Sequence, residues 1–169
     1  MTRFERLALT AGGLGLLRPA PGTWGSLPPV ALAVLLVATG APRWQVDASL
    51  VLLGVAFAVA CVRFGAIAEA TWGKKDPGRV VADEVAGQSI ALLGLPWPSD
   101  DLPRTVAIGA IAFLAFRALD IIKPPPARGI QSVSGGLGIL LDDLIAGAYA
   151  CAVAQLVVRF ALPAWFPAA

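Results

Sequence analysis

Residues 48–68 read ASLVLLGVAFAVACVRFGAIA, an apolar run whose only charge is Arg63. A straight helix needs roughly 17–25 predominantly apolar residues to cross a bilayer, and this run has that length. Four further apolar segments occupy 27–41, 85–97, 105–122 and 137–162. The last two are long enough to span. The segments 27–41 and 85–97 are short, so flanking residues must extend them or they dip in without crossing. No segment alternates apolar and polar residues with period two, which disfavours a β-barrel. The expected fold is all-α, a polytopic membrane helical bundle with about five apolar helices, two of them short or re-entrant.

Composition agrees. Of 169 residues, 57% are hydrophobic and 14% charged, with mean hydropathy +0.77, whereas an ordinary soluble domain is about 45–50% apolar and about 25% charged. The bilayer is the expected solvent. With no second composition class and no long polar linker, residues 1–169 are expected to form one integral membrane domain. A net charge of +2 without any basic run gives no footprint for nucleic acid. Cys61 and Cys151 lie in apolar stretches without an Arg six positions on, so the Cys-based phosphatase loop is absent and buried packing is expected. At the start, Arg3 and Arg6 precede an apolar stretch at 7–17 that is glycine-rich and ends at Arg18. It lacks a small-x-small cleavage site, so a retained amphipathic or re-entrant segment is expected. Pro28-Pro29 suits the first turn of a helix, and Lys123-Pro124-Pro125-Pro126 stops the fourth segment.

Five crossings that begin inside place Arg3, Arg6, Arg18, Arg63, Lys74, Lys75, Arg79, Arg117, Lys123 and Arg128 at the inner face. Only Arg43, Arg104 and Arg159 stay outside, which is the bias expected of a cytoplasmic N-terminus. The same orientation sorts the acids. Asp47, Asp100 and Asp101 read as solvated residues of outer loops. Asp83, Glu84, Asp120, Asp142 and Asp143 all fall at inner ends of apolar segments. Ionisable groups in membrane segments are costly, and a divalent cation is the simplest reason to gather five. Hard Mg²⁺ prefers carboxylate oxygens and water.

Two stretches share the pattern Asp-x-x-x-Gly: Asp83-Glu84-Val85-Ala86-Gly87 and Asp143-Leu144-Ile145-Ala146-Gly147. On a helix the glycine lies on the face of its aspartate, where a small residue lets another helix approach. Each cluster is also expected to open its helix, where the dipole favours carboxylate; capping and packing alone would explain either one taken singly. Arg117, Asp120 and Lys123 follow at i, i+3 spacing. They read as a salt-bridged helix end or, functionally, as a metal ligand, Asp120, flanked by two phosphate-binding cations. The stretches Pro21-Gly22-Thr23-Trp24-Gly25-Ser26 and Ser134-Gly135-Gly136-Leu137-Gly138 read as glycine-rich loops before helices, able to cradle phosphate or simply to turn and cap. There is no histidine and no Asp-x-Asp pair, which removes phosphohistidine chemistry and the haloacid-dehalogenase nucleophile. Metal-activated water remains.

Together Pro21 to Ser26, Asp83 to Gly87, Phe116-Arg117-Ala118-Leu119-Asp120-Ile121-Ile122-Lys123-Pro124 and Gly135 to Gly147 resemble the phosphatidylglycerophosphatase A family, over about residues 7–155. The resemblance implies a bacterial inner-membrane enzyme that needs Mg²⁺. It would remove the terminal phosphate of phosphatidylglycerophosphate, facing the cytoplasm, to leave phosphatidylglycerol. Other members carry histidines; their absence here implies that those are not catalytic. The expected catalytic residues are Asp83, Glu84, Asp120 and Asp143. The expected metal ligands are Asp83, Glu84, Asp120, Asp142 and Asp143, and Arg117, Lys123, Thr23, Ser26, Gly135 and Gly136 are expected to hold the headgroup. Two rivals fit less well. A CDP-alcohol phosphotransferase carries its acidic residues in one helical run, whereas here they are scattered. A cation transporter places them near mid-bilayer.

Overall fold

The computed structural model describes residues 1–98, 100–126 and 135–162, so Arg128 and Ser134 lie outside the described residues. Among the described residues six α-helices follow in chain order: α1 (Arg3–Leu9), α2 (Pro21–Ala38), α3 (Arg43–Trp72), α4 (Ala82–Ala91), α5 (Leu102–Ile122) and α6 (Gly136–Leu156), the last continued by a π-helical turn at Val157–Ala161. Among the described residues there is no strand. Four helices, α2, α3, α5 and α6 with its extension, are long and apolar enough to cross a membrane. The chain is a helical membrane bundle.

The two short segments resolve differently. The first extends upstream: α2 begins at Pro21, so Pro28 and Pro29 lie inside the helix and not in its first turn. The glycines, Thr23 and Ser26, expected in a loop, are therefore helical. Pro21, at the first helical position, marks the start as well as Pro28 would. The third segment is a half-helix. At 1.5 Å per residue α4 is about 15 Å long, roughly half a hydrocarbon core, and irregular chain continues it.

Non-helical backbone is tolerated at membrane depth only where protein satisfies it, and here it does. The carbonyl of Leu93 accepts from Gln155 Nε2 at 3.0 Å and Cys151 Sγ at 3.5 Å. The carbonyl of Gly94 accepts from Arg43 Nη2 at 2.7 Å and Arg159 Nη2 at 3.4 Å, and its N–H donates to Asp47 Oδ1 at 3.0 Å. Asp47 is therefore a helical residue that locks this turn, not a solvated loop residue. Asp101 caps α5 by accepting from the Arg104 N–H at 2.9 Å.

The α4 crossing is central. It packs chiefly on α6 and α3, with Val85, Ala86, Ala91, Leu92 and Leu95 buried. The N-terminal segment joins the bundle: Leu9 is buried, its carbonyl accepts from the Val81 N–H at 2.9 Å, and Phe4 meets Phe64 edge-on at 6.1 Å. Cys61 is buried and Cys151 half-buried, both in packing positions.

Candidate active site

The acidic residues converge through glycine. A methyl carbon built on Gly147 of α6 would fall 2.3 Å from the Gly87 carbonyl oxygen of α4. One built on Gly87 would fall 2.5 Å from the Asp143 carbonyl oxygen and 2.7 Å from the Phe116 ring. The helices thus touch backbone to backbone at the two glycines of the repeated Asp-x-x-x-Gly pattern. With the axes this close, Asp83, Glu84 and Asp143 each bring a carboxylate oxygen to one point, all within 4.8 Å of one another. Asp83 and Asp143 are buried and Glu84 is partly buried.

Asp83 and Glu84 sit in the first turn of α4, as expected, where the helix dipole supports negative charge. Asp143 does not open its helix. Because α6 begins at Gly136, Asp142 and Asp143 lie about two turns inside it, and the dipole gives them no support. Asp83 Oδ1, Glu84 Oε2 and Asp143 Oδ2 are buried and accept no hydrogen bond. Buried carboxylates so close repel one another and lose hydration, and a hard divalent cation with oxygen ligands is the group this donor set fits.

Asp120, on the last turn of α5, lies beside Asp143 and joins the cations to the cluster. Arg117 Nη1 stands 2.9 Å from Asp120 Oδ2, and Lys123 Nζ is 3.7 Å from Asp120 Oδ1. Lys123 also pairs with Asp142, which places Asp142 one step outside the three-carboxylate group. Lys123 takes a left-handed backbone (φ 49°) that ends α5. Burial opposes its ammonium, but the hydrogen bond and charge of Asp142 outweigh that, so its pKa rises and the charge is retained.

The arginine fork points at α2. A methyl on Gly22 would fall 2.3 Å from Glu84 Oε1 and 3.0 and 3.1 Å from the two Arg117 terminal nitrogens. Glu84 and Arg117 therefore meet over the bare backbone of Gly22, in a helix N-terminus that no side chain caps. Thr23 lies beside it, its N–H donating to the Ala20 carbonyl at 3.0 Å. The Ser26 hydroxyl is buried and donates to the Gly22 carbonyl at 2.8 Å, so it is committed to its own helix. Gly135 and Gly136 lie against α3. The Gly135 N–H donates to Glu69 Oε2 at 3.2 Å, and a methyl on Gly136 would fall 2.0 Å from the Cys61 carbonyl oxygen of α3.

Glu69 and Asp76 were not singled out from sequence. Glu69 accepts from the N–H groups of both Gly135 and Asp76, the latter at 3.3 Å, and so ties two loops together at this end of the bundle. Burial, then the charge of Asp142, pushes the Asp76 carboxyl above its ordinary range. The available signal for Glu69 was an acid directly after the most apolar run.

The model of the phosphatidylglycerophosphatase A family matches residues 7–158. The chain belongs to this family. It is 35% identical over 154 residues to phosphatidylglycerophosphatase A of Haemophilus influenzae, covering 90% of this chain and 85% of the relative. Identity to phosphatidylglycerophosphatase A of Escherichia coli is 38% over 136 residues, covering 80% and 72%. A Bacteroides thetaiotaomicron protein provisionally named phosphatidylinositol-3-phosphatase is 38% identical over 156 residues, covering 88% and 92%. No solved structure matches the chain. The family's activity is that of a phosphoric monoester hydrolase, and the chain is a membrane enzyme of that class.

Proposed function

We propose that this enzyme is a Mg²⁺-dependent phosphatase that converts phosphatidylglycerophosphate to phosphatidylglycerol at the cytoplasmic face of a bacterial inner membrane. One observation carries the reading. Three carboxylates from two helices bring one oxygen each to within 4.8 Å of one another, each has a buried oxygen without a hydrogen-bond partner, and an arginine fork lies beside them. The basic-residue bias supports the cytoplasmic orientation.

Asp83, Glu84 and Asp143 would hold Mg²⁺, which when bound supplies a Lewis acid for phosphoryl oxygens and lowers the pKa of water. The residues of the chain do the rest. Arg117 presents a planar fork matched to phosphoryl oxygens, and Asp120 holds that fork in place. Lys123, kept charged by Asp142, adds positive potential at the same end. Hydrolysis adds water to phosphorus and breaks its bond to the glycerol oxygen, which leaves as the alcohol once protonated. Such chemistry depends mainly on positioning and charge, which these groups provide without a histidine.

Phosphate release by purified protein in detergent tests this, with phosphatidylglycerophosphate and phosphatidylinositol 3-phosphate offered separately; the name of the Bacteroides relative supplies the competitor. The expected result is hydrolysis of the former, loss of activity in chelator and recovery with Mg²⁺. Asp83→Asn, Glu84→Gln and Asp143→Asn should each lower kcat by at least about 10²-fold. Full activity in all three folded variants would remove the carboxylate mechanism.

A further inference from the structure

Beside the carboxylates a groove of about 310 Å³ runs between α3, α4 and α6. It is lined by Val51, Val55 and Ala58 of α3, Ala86 and Ile90 of α4 and Leu144 of α6, with no polar surface. We infer that this groove holds one acyl chain of the lipid phosphate substrate while its phosphate lies at the carboxylates, an assignment that rests on the reading above.

Position is the first support. Ala86 lies one turn after Asp83, and Leu144 follows Asp143 directly. The groove therefore starts at the level of the carboxylates. It ends at Leu50 and Leu93, next to the turn where Gly94 meets Asp47. From Ala58 to Leu50 is about 12 Å of helix, directed away from the charged end. An amphiphile with its phosphate at the carboxylates must lay its tail in this direction.

Surface and access agree. An entirely apolar lining offers no partner to a polar ligand, and about 310 Å³ is within the range of small-molecule sites. The groove opens sideways: Val51 and Val55 on its rim are 47% and 55% exposed, so a lipid can enter from the bilayer. Gly54 gives the floor its shape, since a methyl there would stand 3.1 Å from Ser89 Cβ. The larger apolar cavity beside Phe4, Phe57 and Phe64 is lined by no residue of α4 or α6, the helices that carry the three carboxylates.

The test compares kcat/KM for dipalmitoyl and dibutanoyl phosphatidylglycerophosphate in mixed micelles, using wild type, Val55→Trp and Ala58→Leu. Val55 is exposed, so the tryptophan leaves the folded core intact; circular dichroism and size exclusion check both variants. The expected result is a long-to-short ratio about tenfold lower in each variant, because several methylenes lose their site, with the change mainly in KM. An active wild type with an unchanged ratio in both variants overturns the groove alone, as does an equal loss on both lipids. A changed oligomeric state in Val55→Trp identifies a second copy as the occupant and also overturns it. Wild type inactive on both lipids removes the phosphatase reading and the groove with it.

Discussion

Replacing Gly22 by alanine separates the cost of holding the site from the cost of holding the fold. The new methyl would fall 2.3 Å from Glu84 Oε1, whereas ordinary contact begins at 3.4 Å, so the carboxylate must retreat by about 1 Å. The obstructed atom is the end of a flexible side chain, and alanine is the better helix former by about 1 kcal/mol. Folding is therefore nearly indifferent to the change. Chemistry is not: metal ligands are held to within about 0.2 Å, and a displacement of about 1 Å in a catalytic group costs on the order of 10²-fold in rate. Phosphate release measured across a Mg²⁺ titration should show kcat down about 10²-fold with a higher Mg²⁺ requirement. The melting temperature by circular dichroism in detergent should stay within a few degrees of wild type. Gly25→Ala is the control in the same helix. Its methyl would meet the packing side chain of Val81, Cβ at 2.5 Å, and not a carboxylate oxygen first, so it should lower stability and leave the Mg²⁺ dependence of the folded fraction alone. Wild-type activity in Gly22→Ala would refute the assignment of Glu84 to the centre.

Three further outcomes follow from the same geometry. Arg117→Lys keeps the charge but loses the fork, so kcat/KM should fall about 10–100-fold with unchanged helicity; equal activity would show that a point charge suffices. Lys123→Met removes a cation from Asp142 and Asp120, and should cost about 2 kcal/mol of stability in denaturant melts, discounted because Lys123 is partly exposed. Adding Asp142→Asn should restore much of that. Gly147→Ala places a methyl against backbone, 2.3 Å from the Gly87 carbonyl, so it should destabilise by about 1–3 kcal/mol; an unchanged melting temperature would contradict the close approach of α4 and α6.

Much of this arrangement is legible in the sequence because the bilayer imposes it. The run at 48–68 needs no tertiary context to be read as a span, and it is one. The spacing Arg117, Asp120, Lys123 gives the ion pairs observed, because i, i+3 neighbours on a helix meet whatever surrounds them. The paired Asp-x-x-x-Gly likewise reports a close approach, since few pressures other than backbone contact place glycine inside an apolar helix. What escapes is set by distant partners. The half-helix α4 can stop short because Gln155, Arg43 and Arg159 donate to the carbonyls of Leu93 and Gly94 just beyond it, and no local pattern announces donors that lie more than fifty residues away in sequence. Glu69 binds the N–H groups of two loops that become neighbours only once α3 and α6 have docked. Asp142 and Asp143 look identical by charge and burial, yet only Asp143 faces α4; which of two adjacent helical residues does so depends on helix rotation.

On the proposed reading, the glycines would explain how so few residues make a metal site inside a bundle. Helices that pack through ordinary side chains have axes 8–10 Å apart, and short aspartate side chains from two of them would meet only loosely. Gly87 and Gly147 remove that spacer between α4 and α6, and Gly22 removes it where α2 passes Glu84 and Arg117. The carboxylates can then be short, which leaves them few rotamers to lose on ordering. They can also lie on rigid helices, where a ligand set is held more tightly than on loops. The charge gathered this way is tolerable only with compensation, which Arg117 and Lys123 provide on one side and a bound cation would complete on the other. On this argument helix approach comes first and metal affinity follows from it. Enlarging any of the three glycines should therefore weaken Mg²⁺ binding before it unfolds the protein at Gly22, and together with unfolding at Gly87 and Gly147.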